Sequence, residues 1–496
     1  MNGHEKSDSP IVPRKSSNKA DNNAAEAMEG RGSAKGNTDE ADTLRTQKRD
    51  SVPSGLERVR EAARSNRELR FTTLLHHVTT ELLRRVFYAM QRRASPGIDG
   101  VTWRDYEENL KGNLLGLLDR VHRGAYQARP SKRVYIPKPD GRQRPLGIAS
   151  VEDKLLQGAI LVVLNSIFEV DFADFSYGFR PERGAHDALD ALTSALYLKK
   201  VNWVLDADIQ GFFDALDHET LMGFLERRIG DKRILRLIRK WLKAGVLEGG
   251  RLVASEEGSP QGATISPLLA NIYMHYAFDL WAHQWRRQQA HGDVILVRYA
   301  DDFVVGFERR EDAERFLSDL RDRLAEVKLT LHPDKTRLFE FGRFAAERRK
   351  ARGEGKPETF VFLGFTHICG RTKKGTFQIL RRTYSKRMRA KLKAVRVELL
   401  RRRHLPPAVA GQWLRSVLKG YFNYFAVGTN LARLRQLRTQ VARAWFHALT
   451  RRSQRHCFLW ARMRRLVDEW LPIPILVHPP PLVRFAARTR GKSPVR

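Results

Sequence analysis

The hydrophobic positions divide the chain into four textures. Residues 1–55 are Ser, Asn, Gly, Ala and mixed charge with hardly an aliphatic side chain to bury. Such a segment cannot offset the entropy of ordering it and reads as a disordered leader. From 56 to 90, Leu69, Leu74, Leu75, Val78, Leu82, Leu83 and Val86 recur near helical spacing. That spacing predicts an amphipathic helical segment, closed near the turn signal Ser95-Pro96-Gly97. Between about 130 and 370, short β-like runs bracketed by Gly, Pro and Asp alternate with helical stretches, the pattern of an α+β fold. Strands are expected at 134–136, 203–209, 294–299 and 303–307, and longer helices at 152–170, 184–198, 219–244 and 311–327. Beyond about 380 the pattern is helical, and the Pro-rich run 472–481 reads as an extended tail.

Charge changes this picture. The chain of 496 residues is too long for one compact core, so two or three globular units are expected. Its 90 Lys+Arg against 56 Asp+Glu give a net +34, which self-repels unless a polyanion shares it. Residues 381–496 alone hold 28 Lys+Arg against Glu398, Asp468 and Glu469, a net +25. Trp413, Tyr421, Phe422, Tyr424, Phe425, Trp445, Phe446, Phe458 and Trp460 are interleaved with that charge. Phosphate contacts explain the asymmetry better than a merely solvated bundle does, so nucleic acid is the leading partner. The best apolar stretch, 155–170, is interrupted by Gln157, Asn165, Ser166 and Glu169, so no membrane span and no membrane partner are expected. The amino terminus lacks the apolar core of a secretory signal, and a cytoplasmic location follows. Two cysteines, Cys369 and Cys457, are too few for a disulfide framework or a four-thiolate zinc site.

The strongest local chemistry lies in 294–307, where two β-rich runs flank Ala300-Asp301-Asp302 and predict a hairpin with adjacent carboxylates at its tip. Aspartate suits turns by bonding its own backbone, but this turn is apolar on both sides. Two like charges beside a buried sheet are costly without a compensating cation. A second strand, Trp203 to Ile209, carries Asp206 and Asp208 two apart on one face, and periodicity does not choose between them. Three carboxylates from two strand ends suit a pair of divalent ions about 4 Å apart and hence nucleotidyl transfer. Oxygen-only ligands point to Mg²⁺, with Mn²⁺ as a substitute, rather than Zn²⁺.

Taken in order through roughly 90–450, these segments resemble the reverse transcriptases encoded by group II introns. Tyr299-Ala300-Asp301-Asp302 is similar to that family's active-site box, and Asp208-Ile209-Gln210-Gly211-Phe212-Phe213-Asp214 to its other metal-binding segment. The resemblance selects Asp208, Asp301 and Asp302 as catalytic and metal-binding, adds the Ile209 carbonyl as a ligand, and leaves Asp206, Asp214 and Asp217 structural. Gly258-Ser259-Pro260-Gln261-Gly262, followed by Ile265 to Ile272, resembles the wall of the nucleotide pocket. The segment from Arg133 to Ile148 resembles the fingers, with Lys138 and Arg144 on the incoming triphosphate. Phe213 falls where a bulky ring would exclude a 2′-hydroxyl, so Lys138, Arg144, Phe213 and Gln261 are the expected nucleotide-binding residues. Ser95 to Gly100, Leu331-His332-Pro333-Asp334-Lys335-Thr336 and Phe362-Leu363-Gly364-Phe365 resemble further boxes. Leu418 to Phe425 resembles the helical thumb called domain X. Gly364, Lys335, Lys419 and Tyr421 are the implied primer, template or RNA contacts.

The implied architecture is a right-hand polymerase, with fingers and a palm of ferredoxin-like antiparallel sheet plus helices over 56–370. A helical thumb or maturase domain X follows over 371–465, and a basic Pro-rich tail over 466–496. The implied activity is RNA-directed DNA polymerisation from dNTPs on an RNA template and a DNA or RNA primer. Binding of the intron RNA would aid splicing and mobility into target DNA. The zinc-bearing endonuclease that the family often appends is not expected, because the cysteine pairs are lacking; insertion would borrow a primer, for example at a replication fork. Two alternatives stay open: a related bacterial reverse transcriptase in phage defence or diversity generation, and a splicing-only RNA-binding cofactor. Oligomeric state is also open, a dimer included.

Overall fold

The computed structural model describes residues 54–137, 143–248, 251–253, 258, 262–452 and 458–489. The expected leader, Lys138 and Gln261 lie outside them, apart from Ser54 and Gly55. The amphipathic pattern over 56–90 forms two helices rather than one, α1 (Ser54–Ser65) and α2 (Thr80–Ala89), with a short 3₁₀ turn at Leu75–His77. Later chain holds the break open. The Arg228 guanidinium donates to the carbonyls of Ala63, Asn66 and Leu69, and the Asp231 carboxylate accepts the Leu74 and Leu75 N–H groups at 2.8 and 3.0 Å. Backbone groups freed by the break are thereby satisfied.

Helices α3 (Trp103–Glu108), opened by a Thr102–Asp105 capping box, and α4 (Leu110–His122) lead to the hairpin of β1 (Ser131–Pro137) and β2 (Gln143–Ile148). Then follow α5 (Val151–Asp171), α6 (Ala185–Leu198), β3 (Trp203–Asp208), α7 (His218–Glu226) and α8 (Lys232–Lys243). The single helix expected over 219–244 is cut at Gly230-Asp231. There the Gly230 N–H bonds the Phe71 carbonyl at 2.7 Å, and Asp231 caps α8 through the Arg233 N–H. Strands β4 (Val246–Glu248) and β5 (Arg251–Val253) extend the hairpin into a four-stranded sheet of order β2-β1-β4-β5.

A nearly continuous rod of α9 (Ser266–Met274), a π-helical turn at His275–Asp279 and α10 (Leu280–Gln288) precedes the central hairpin. That hairpin is β6 (Val294–Tyr299) and β7 (Asp302–Phe307); α11 (Arg310–Glu326) and β8 (Arg337–Glu340) complete an antiparallel sheet of order β6-β7-β3-β8. Alternation along its strands feeds two cores. Leu205, Ala207, Leu296, Phe303, Val305 and Phe307 face the amino-terminal helices. Val204, Ile295, Val297, Val304 and Phe339 face the carboxy-terminal half.

That half begins with a smaller sheet of β9 (Phe360–Phe362), β10 (Phe365–Arg371) and β11 (Phe377–Thr383). It continues through α12 (Ser385–Arg401), α13 (Pro407–Phe425), α14 (Leu431–Thr450), α15 (Trp460–Trp470) and α16 (Pro481–Thr489). Phe365, Leu414, Phe425, Trp445 and Leu471 pack into the same core as the central sheet's second face. The run 472–481, read from sequence as an extended tail, is instead anchored: His478 Nε2 lies 2.6 Å from the Asn423 carbonyl, and Arg484 pairs with Asp190 of α6. Asp190 also takes Arg381 at 3.0 Å, so one buried carboxylate is shared by two guanidiniums. Among the described residues no helix is long and apolar enough to cross a membrane.

Candidate active site

β3 and β7 pair in antiparallel register, and Asp208 stands directly opposite Asp302. Directly opposed residues have Cα atoms about 4.5–5.5 Å apart, so the two carboxylates come from different strands yet share one face. Asp206 lies two residues back on that same face, opposite Val304. Asp301 is held at the tip by a turn in which Ala300 adopts a left-handed φ of 59°. A non-glycine residue there is strained and persists only when its surroundings fix it.

Arg298 supplies that restraint. Its side chain is fully buried in β6. It donates to Asp279 at 2.7 and 2.5 Å, to Asn271 Oδ1 at 3.1 Å, to Ser176 Oγ at 2.7 Å and to the Ala300 carbonyl at 2.8 Å. All five guanidinium N–H groups are thus used, one on the peptide preceding Asp301. Asn271 in turn donates to the Gly178 carbonyl at 2.7 Å. Gly178 packs so closely under the turn that a Cβ there would stand 2.3 Å from the Ala300 nitrogen. The motif reading contained Arg298 and Asn271 but gave Arg298 no role, and it did not reach Gly178; only a basic residue inside an otherwise apolar strand hinted at Arg298.

The carboxylates repel one another. Burial first, then Asp206, Asp301 and Asp208, push the Asp302 carboxyl well above the ordinary aspartate range, with Lys335 opposing. Burial likewise raises Asp206 to about 6 against the pull of Arg337. Lys335 forms an ion pair with Asp208, which places this residue, expected at primer or template, against the acids themselves. Its loop is strapped to the strand end: the Asp208 carbonyl accepts the His332 N–H at 2.8 Å, and buried Ile209 bridges Leu331. Among the described residues no three His, Cys, Asp or Glu side chains close around one point. The donor set still fits a hard divalent cation, because the carboxylates offer oxygen donors alone and Lys335 and Arg337 offset only part of their charge.

Phe213 follows β3, half-buried and edge-on to Phe212 at 5.4 Å. Gly258 lies against it: a Cβ on Gly258 would meet the Phe213 and Asp214 carbonyl oxygens at 3.0 Å, and its φ is +85°. Gly262, at φ +107°, would put a Cβ 2.8 Å from the Gly147 carbonyl of β2. The ends of the Gly-Ser-Pro-Gln-Gly segment therefore touch both the Phe213 turn and the first sheet, with Gln261 itself outside the described residues. Arg144 is half-buried on β2 opposite Ile136; Lys138 lies outside the described residues. Gly364, at φ +80°, accepts the Tyr384 N–H at 3.0 Å in the turn between β9 and β10, and a Cβ there would collide with Arg387. Lys419 is exposed on α13. Tyr421 corrects the sequence reading: its ring is 5% exposed and packs on Phe425 at 4.5 Å, so it builds the helical core and has no face to offer RNA.

Residues 136–367 match the family model described as reverse transcriptase (RNA-dependent DNA polymerase). The chain is 33% identical over 317 residues to protein YkfC of Escherichia coli strain K12, covering 58% of this chain and 79% of that protein. It is 42% identical over 170 residues to group II intron-encoded protein LtrA of Lactococcus lactis subsp. cremoris, covering 34% of this chain and only 27% of LtrA. A nuclear intron maturase of Arabidopsis thaliana mitochondria aligns over 113 residues at 28% identity, 22% of this chain and 15% of that one. The chain belongs to the reverse transcriptase family, in the group of group II intron-encoded reverse transcriptases and maturases.

Proposed function

We propose that this chain is an RNA-directed DNA polymerase that also binds its group II intron RNA as a maturase. The first sheet serves as fingers, the central sheet as palm and the carboxy-terminal helices as thumb. The observation that carries the reading is the register of β3 on β7, which sets Asp208 opposite Asp302 beside a turn locked by Arg298. Asp208, Asp301 and Asp302, with the Ile209 carbonyl, would hold two Mg²⁺ ions. When bound, the ions acidify the primer 3′-hydroxyl and neutralise the triphosphate of the incoming nucleotide.

The protein's own side chains do the rest. Lys138, Arg144 and Gln261 orient the triphosphate, and Phe213 closes the space a 2′-hydroxyl would need. Gly364 lets the primer strand approach the backbone, and Lys335 holds the Asp208 carboxylate in an ion pair. Lys419 and the arginines of α12 to α15 take the intron RNA by its phosphates, leaving splicing chemistry to the RNA.

The test is primer extension on an RNA template. Asp301→Ala with Asp302→Ala should abolish it while leaving intron binding within a few fold. Extension by the double variant at the wild-type rate would remove the site assignment.

A further inference from the structure

The end of β6 remote from Asp301 carries a second cationic feature. His283, Arg286 and Arg287 of α10, with Lys199 after α6 and Asp293 and Val294 at the entry to β6, line a recess of about 430 Å³. Val294 and Tyr299 are the two ends of one strand, so the recess sits about 17 Å from the carboxylate turn.

The acids here are already committed. Asp293 takes Lys199 at 3.2 Å, and Glu308 accepts the Asp293 N–H at 3.0 Å. The arginines are not. Arg286 gives Nη2 to His283 Nδ1 at 3.0 Å, while its Nη1 is shielded from solvent with no hydrogen-bond partner. Burial, then Arg286 and Arg287, hold His283 below its ordinary value, so it accepts that bond uncharged and brings no countercharge. A shielded guanidinium N–H without an acceptor is costly unless a ligand supplies one. The lining contains no Phe, Tyr or Trp and is dominated by cationic side chains, which favours a phosphate group.

We infer that this recess is a phosphodiester-binding site in which Arg286 and Arg287 seat one backbone phosphate of the RNA that the protein holds. It rests on the proposed RNA binding and adds to it an anchor on the side of the central sheet away from the polymerase acids. Exposed Arg287 meets the phosphate directly, and Arg286 must turn its shielded Nη1 toward the recess to give a second oxygen its hydrogen bond.

The experiment measures affinity for structured intron RNA across a salt series, with inorganic phosphate followed by ³¹P line width as the small-molecule probe. Arg286→Gln with Arg287→Gln should weaken RNA binding about tenfold at low salt and flatten the salt slope by about 1, and should also remove the phosphate broadening. Arg287 is exposed, so Arg287→Glu keeps the test available where the double variant fails to fold. A folded double variant with an unchanged salt slope would overturn the inference, whether or not phosphate broadening is lost. Failure of the wild-type protein to bind RNA at all would overturn the proposed function and this site with it.

Discussion

At the scale of single residues, the site depends on how firmly Ala300 is held, because Asp301 and Asp302 follow it directly. Gly178 and Arg298 clamp that peptide from two sides. Gly178→Ala inserts a methyl into a 2.3 Å gap beside the Ala300 nitrogen and must displace the turn. Primer extension should fall on the order of 100-fold, since a shift of about 1 Å at reacting groups costs that much, while overpacking lowers stability in urea by only about 1–3 kcal/mol. Full activity in Gly178→Ala would mean the turn is not set by this contact. Phe213 offers a second test, because its half-buried ring follows the β3 end that carries Asp208. In Phe213→Ala the preference for deoxynucleotides over ribonucleotides, read as a ratio of kcat/KM, should drop about tenfold or more. An unchanged ratio would make Phe213 a packing residue only. The acids at the hairpin tip stood out because their apolar flanks are local, whereas only the family resemblance chose Asp208 over Asp206. The role of Arg298 was not, since its partners Ser176, Asn271 and Asp279 lie up to 122 residues away.

Among the elements, the central hairpin was readable to within a residue, because strict alternation over 294–307 leaves one choice of faces and register. The helical segment expected over 56–90 is helical but broken, and the longer helix expected over 219–244 is cut in two, for one shared reason. The segments 56–90 and 219–244 both carry helical periodicity, yet they interrupt each other: Phe71 bonds Gly230, Asp231 caps the turn at Leu74, and Arg228 fills the gap. No window of either segment contains that information. Arg228 is 2% exposed and joins Asp171 at 2.8 Å to three carbonyls of the first break. Arg228→Ala leaves Asp171 buried beside those carbonyls without its partner, which should lower stability by about 3 kcal/mol or more in urea titration. A loss below about 1 kcal/mol would show that the break is held by Asp231 and the Phe71 pairing alone.

For the whole molecule, the net charge of +34 and the two cores tell complementary stories. The charge announced a polyanionic partner from composition alone, whereas the shared core shows why the basic helices cannot drift from the catalytic sheet: Val204 and Val304 of that sheet pack in one cluster with Phe425 and Trp445. The carboxy-terminal segment strengthens this union through Arg484 on Asp190, a link between distant residues that Pro-rich composition concealed. Everything functional then converges on whether the acids across β3 and β7 accept paired cations. The most direct measurement is anomalous diffraction from crystals grown with Mn²⁺, primer–template and a non-hydrolysable dNTP. The account predicts two peaks about 4 Å apart bounded by Asp208, Asp301 and Asp302, with Lys335 withdrawn from Asp208. Well-ordered primer and nucleotide with no Mn²⁺ between those three side chains, and Lys335 still on Asp208, would contradict it.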